Sequence, residues 1–198
     1  GIFFGISGDS LLFTLPGYPM SWSNRRKICI PENAGTPLKA VARGEDVYVY
    51  TDKKPVYLKG VVSQSGIGFD LNVIQKNVPL ASLPSTTSGY LGEYFASTDG
   101  YYIWNETQID NLTIDWFSKE DWCKTDPSTI SGVVVEDKLI WSTSVDSFML
   151  ISGDRVSQVT GQDNGSNLLI GLNMGDLLPA ATGHLLASDN TLVFHKDG

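Results

Sequence analysis

The sequence predicts an all-β fold, a β-propeller-like array of short antiparallel hairpins, on three observations. β-Branched and aromatic runs recur between Gly, Asn, Asp and Pro. Helical periodicity is nearly absent. One hairpin unit also returns five times along the chain, as in repeat architectures. A β-sandwich is the alternative arrangement of the same strands.

Strands are predicted at 1–6, 10–14, 38–42, 47–51, 56–58, 94–96, 101–104, 132–135, 138–142, 148–151, 168–171, 185–187 and 191–195. The repeated unit is an apolar strand, a tight turn and a second apolar or aromatic strand. It reads FFGISGDSLLF, KAVARGEDVYVY, YFASTDGYYIW, GVVVEDKLIW and HLLASDNTLVF, with turn centres 37 to 54 residues apart. That range brackets the roughly 40 to 50 residues of a propeller blade. Gly8-Asp9, Asp99-Gly100 and Asp189-Asn190 are the predicted structural turns, because these residue types tolerate the positive φ of a two-residue hairpin. One short helix is expected over 118–124, with Ser118 as its cap and Asp121 complementing its dipole. Pro127 limits its length.

A chain of 198 residues can bury a real core as one all-β domain, so a single domain over 1–198 is expected. It opens strand-like at Gly1 without an initiator Met, which predicts a piece of a longer chain. The formal net charge of −8 argues against nucleic acid as a direct partner, since a phosphate backbone calls for a basic stripe. Arginine occurs only at 25, 26, 43 and 155, and Arg25-Arg26-Lys27 is the sole basic cluster. Cys29 and Cys123 lack any metal or disulfide spacing and read as buried free thiols. No apolar run approaches the roughly 18 residues of a membrane span, so no membrane partner is expected.

Catalytic constellations are weak. Ser97-Thr98-Asp99-Gly100 before Trp104 approaches the Asp box of sialidases, one residue short, and an Asp box is itself structural. A sialidase site also calls for clustered arginines. Asp110, Asp115, Glu120 and Asp121 form the densest acidic group, beside Trp116 and Trp122, which makes a glycosidase or a glycan-binding face conceivable. No nucleophile elbow occurs. His184 and His195 flank one hairpin and suggest at most a zinc pair with Asp189. Asp163-Asn164-Gly165-Ser166-Asn167 lacks the acidic anchor of a calcium loop. Asn105-Glu106-Thr107 and Asn111-Leu112-Thr113 match the glycosylation triplet by type only. No cofactor, metal or catalytic residue is therefore predicted. Tyr18, Trp22, Trp116 and Trp122 are the candidate interaction residues, being large aromatics in irregular chain.

The order of the segments LLFTLPGYPMSW, KAVARGEDVYVYTDKKPVYLKG, ASLPSTTSGYLGEYFASTDGYYIW and LTIDWFSKEDWCKTDPSTISGVVVEDKLIW resembles a family of tailed-bacteriophage and prophage virion structural proteins. The matching positions are Pro16, Gly17, Pro19 and Trp22, then Thr51, Asp52, Lys54, Pro55, Tyr57 and Gly60. Ala96, Ser97, Asp99 and Gly100 follow, and then Trp122, Pro127 and Asp137, so the likeness spans about residues 11–142. The chain departs from the family at residues 80–85, where a customary cysteine is replaced. The resemblance implies a non-enzymatic component of the tail, nozzle or head-tail connection, made in the bacterial cytoplasm and located in the virion. Its implied partners are other virion proteins and copies of itself. A carbohydrate-binding module that attaches to a host glycan is the second reading, and a glycosidase the third.

Overall fold

The computed structural model describes residues 2–63, 66–135, 138–143, 147–151, 155–158, 181–186 and 192–196. Strands in antiparallel sheets dominate them, with little helix, so the fold is all-β. Two compact units divide the chain, Gly1–Leu80 and Ala81–Gly198.

In the first unit, β1 (Phe4–Ser7), β2 (Ser10–Phe13) and β3 (Lys27–Cys29) form a three-stranded sheet in that order. β4 (Pro37–Arg43), β5 (Asp46–Thr51), β6 (Val56–Ser63) and β7 (Gly66–Val73) make a four-stranded meander. The second unit holds two more four-stranded meanders. One runs β8 (Thr87–Ser88), β9 (Glu93–Ser97), β10 (Gly100–Asn105) and β11 (Gln108–Asn111). The other runs β12 (Ser131–Val135), β13 (Lys138–Ser142), β14 (Ser147–Ile151) and β15 (Arg155–Gln158). β16 (Ala181–Leu186) pairs with β17 (Leu192–Lys196). Each repeat seen in the sequence is one of these hairpins: β1/β2, β4/β5, β9/β10, β12/β13 and β16/β17. The predicted strand at 168–171 and the Asp189-Asn190 turn lie outside the described residues.

The strands β5, β9, β10 and β13 are buried on both faces. In β5, Val47 and Val49 join Val56, Leu58 and Leu11 in one core, while Tyr48 and Tyr50 are buried on the opposite side. Tyr48 meets Tyr57 across the strand pair, with ring centroids 5.4 Å apart. In the second unit Tyr94, Ala96, Tyr101, Leu139 and Trp141 share a core with Trp122 and Ile130. Phe95, Tyr102 and Trp104 fill the other face of the β9/β10 pair, Phe95 stacking on Tyr102 at 5.9 Å.

The turns differ in detail from the sequence expectation. Gly8 and Gly44, each first in a two-residue turn, have φ of 59° and 64°, and the residues after them stay at ordinary φ. This is the type II′ pattern. Asp99-Gly100 is not the positive-φ pair expected. Ser97 pairs with Gly100, so Thr98 and Asp99 make the turn, and neither Asp99 nor Gly100 has positive φ. Gly100 serves instead as a gap, because a Cβ there would lie 2.3 Å from the Asn111 amide nitrogen. That amide donates to Asp99 O, while Asn111 Oδ1 accepts from Thr113 N at 2.9 Å. Asn111 thus works as a local brace.

The helix forms as expected. α1 (Lys119–Lys124) is capped by Ser118, whose Oγ accepts from Asp121 N at 3.1 Å. Its Trp122 indole N–H donates to Ser97 O at 2.8 Å inside the core. Trp122→Ala is expected to cost about 3–5 kcal/mol, since it removes a fully buried ring and strands a carbonyl. A urea-midpoint loss worth less than about 1 kcal/mol would show that this core can collapse around the gap. Gly60→Ala is expected to destabilise as well, because its Cβ would meet Glu45 O at 2.3 Å, a backbone atom that cannot swing aside.

Candidate interaction surfaces

Residues 14–26 leave β2 and return to β3 as a loop braced on itself. Pro16 and Gly17 take the central positions of a turn in which Tyr18 N donates to Leu15 O at 3.0 Å. With φ of 76° at Gly17, this fits a type II turn with Pro first and Gly second. Ser21 Oγ donates to Tyr18 O at 2.7 Å and accepts from Leu15 N at 2.8 Å. The Arg26 guanidinium donates to Ser21 O, and Arg26 N donates to Ser23 O at 2.9 Å. The loop's own groups thereby satisfy much of its backbone.

Its apolar side chains point the other way. Met20 is 87% exposed, Tyr18 67% and Trp22 45%, with Leu15 beside them at 43%. Trp22 is nevertheless seated, since a Cβ on Gly5 would touch its six-membered ring at 3.4 Å. Exposed aromatics on an ordered backbone lose little entropy when they are covered, which makes this loop a candidate contact surface.

A second surface follows β11. Trp116 N and Phe117 N both donate to Thr113 O at 3.0 Å, closing a turn that exposes Ile114 and half of Trp116. Phe117 anchors it from below, edge-on to Trp122 at 5.6 Å. Trp122 itself is corrected from the expected contact set. It is wholly buried, because the helix turns it inward onto Ser97 and exposes the Glu120-Asp121 side instead. Hydrogen bonds from Lys124 and then Ser118 hold the Asp121 carboxyl below the usual range. Sequence reading missed a third apolar tip, Tyr90 and Leu91 between β8 and β9. There Gly89 N closes on Gly92 O at 2.9 Å, so the flanking Ser-Gly and Gly-Glu dipeptides were the signal.

The acidic group lies on the surface. Asp110, Asp115, Glu120 and Asp121 are all exposed. A shallow concavity of about 300 Å³ in the first unit is lined by Asp9, Ile30, Glu32, Gly35, Thr36 and Lys53, and by none of them. No group of three potential metal ligands occurs among the described residues. In β16/β17, His184 pairs with Phe194 and His195 with Gly183, so the two histidines are not cross-strand partners. No helix among the described residues is long and apolar enough to cross a membrane.

Both cysteines correct the expectation of buried thiols. Cys29 lies on β3, a strand exposed at both ends, and Cys123 follows the inward-facing Trp122 on the helix; both are exposed. Ellman's reagent is expected to titrate two thiols per folded chain without denaturant. Reaction of neither thiol until urea is added would contradict this placement.

No protein-family model matches the chain and no curated protein matches it, which leaves the geometry of its own residues to carry the functional reading.

Proposed function

We propose that the chain is a non-enzymatic bacteriophage virion protein of the tail, nozzle or head-tail connection, assembling through rigid aromatic loops. The observation that carries this reading is the self-braced loop 14–26 with Tyr18, Met20 and Trp22 on its outside. Large aromatics on ordered chain are the side chains that dominate protein interfaces. A β-propeller-like stacking of the sheets belongs to the same proposal. Meanders in sequence order, with central strands buried on both faces, suit blades packed between neighbours better than a two-sheet sandwich whose outer faces are wet.

The positions that resemble the phage family support an architectural role. Thr51 Oγ1 donates to Lys54 O at 2.8 Å, and Asp52 Oδ1 accepts from Thr36 N at 2.7 Å, so this motif locks the β5/β6 turn onto the start of β4. Tyr57 donates to Asp46 at 2.7 Å beneath Gly60. These residues hold backbone in place and present no reactive group to a substrate. A host-glycan reading has one observation in its favour, Trp116 half-exposed beside Asp115.

The test is made on purified particles. Mass spectrometry is expected to detect the chain in virions, and antibody labelling to place it at the tail or neck. Tyr18→Ser with Met20→Ser is expected to fold normally by circular dichroism yet lower incorporation on the order of tenfold. Absence of the unmodified chain from particles overturns the reading, and Trp116-dependent binding on a glycan array would move the assignment to attachment.

A further inference from the structure

The charge of the chain is divided unequally between its two units. Residues 1–80 carry nine Lys/Arg against six Asp/Glu, net +3, and residues 81–198 carry five against sixteen, net −11. One aromatic surface belongs to each unit, and each shares the charge sign of its unit. Residues 10–31 hold three cations and no anion. Residues 105–121 hold five anions and one cation, Lys119.

We infer that these surfaces recognise each other between copies: the loop around Tyr18 and Trp22 of one copy docks on the segment around Ile114 and Trp116 of the next. The inference rests on the reading of loop 14–26 as a contact surface and names its partner as a second copy of this chain. Arg26 is occupied inside the loop by Ser21 O, so the exposed Arg25 and Lys27 are the charges it offers. Asp121 is occupied by Lys124 at 2.8 Å, so the exposed Asp110 and Asp115 answer them. Each apolar patch excludes water from the contact, and the opposed charges select which patches meet. Loop against loop, or segment against segment, would place like charges together. Each loop is therefore expected on a segment, an arrangement met either reciprocally in a two-fold dimer or once per step in a head-to-tail chain. The reciprocal dimer uses both surfaces of both copies, whereas the head-to-tail chain leaves one surface of each kind open and closes into a ring when the rotation per step permits.

Sedimentation velocity on the purified full chain tests this. The average mass is expected to rise with concentration at low ionic strength and to fall as salt screens the contact. Arg25→Glu with Lys27→Glu, and separately Asp110→Lys with Asp115→Lys, are each expected to weaken self-association by about tenfold or more. Mixing the two variants is expected to restore association, because each supplies the surface that complements the other. A chain that stays monomeric at high concentration and low salt overturns the inference, as does association that neither reversal changes or that mixing does not restore. Should Tyr18→Ser with Met20→Ser weaken association while the charge reversals leave it intact, the loop remains a contact surface and its pairing with the acidic segment is wrong. Absence from virions despite charge-dependent self-association would instead defeat the virion reading alone.

Discussion

The structure depends on one constraint: the strands β5, β9, β10 and β13 are buried on both faces. Val47 and Val49 of β5 face one core while Tyr48 and Tyr50 are buried on the other side, and Leu139, Ile140 and Trp141 of β13 repeat the pattern. Such a strand has no wet face on which to place a polar side chain. The backbone of each is satisfied by its neighbours, and the remaining polar demand moves to the turns and strand ends. That is where the buried hydroxyls collect. Ser82 Oγ donates to Ile130 O, Ser85 Oγ donates to Ser82 O, and Ser85 Oγ also accepts from Ala96 N. Tyr101 reaches the same knot through Ser85 O, and burial pushes its hydroxyl far above the ordinary phenol range. A neutral, donating Tyr101 is what that carbonyl needs.

The same division of labour explains how loops can show apolar side chains to water. In residues 14–26 the Ser21 and Arg26 side chains close onto backbone carbonyls, and in residues 111–117 the Asn111 side-chain oxygen accepts from the Thr113 backbone N–H and hydroxyl. The backbone of each loop is held without the help of its largest side chains. Tyr18, Met20 and Trp116 are thereby left over, and their exposure costs the fold little. Trp122 shows the opposite use of the same residue type, an indole spent on closing the core.

Much of this was legible because two-faced burial writes itself as continuous apolar strands flanked by Gly and Asp. The five hairpins, the Ser118 cap and the exposed Tyr18, Trp22 and Trp116 follow from that pattern. Less was legible where a strand has few neighbours. β3, β8 and β11 are short and partly exposed, so Lys-Ile-Cys, Thr-Ser and Gln-Ile-Asp-Asn carry no apolar run. β7 was readable, since Phe69, Leu71 and Val73 alternate with Asp70 and Asn72, but its glycines mask the strand. Asp99-Gly100 misled because composition cannot tell a glycine needed for φ from one needed for space. Only the approach of Asn111 makes that distinction. Trp116 and Trp122 look alike in sequence for a similar reason, as the five residues of turn and cap between them decide which indole faces inward.

This separation of framework from display bears on how such a chain can change. Substitutions at Thr51, Asp52 or Gly60 act on turn geometry and therefore on every strand the turn registers, and a one-residue slip would carry both buried faces of β5 out of place. Substitutions at Tyr18, Met20 or Trp116 meet no such penalty, because nothing in the sheets leans on them. Selection on the framework is therefore set by folding, whereas selection on the displayed residues is set by whatever covers them. An apolar side chain such as Met20 gains nothing from water at 87% exposure. In the contact inferred between copies it would leave solvent, and the cations beside it would face carboxylates.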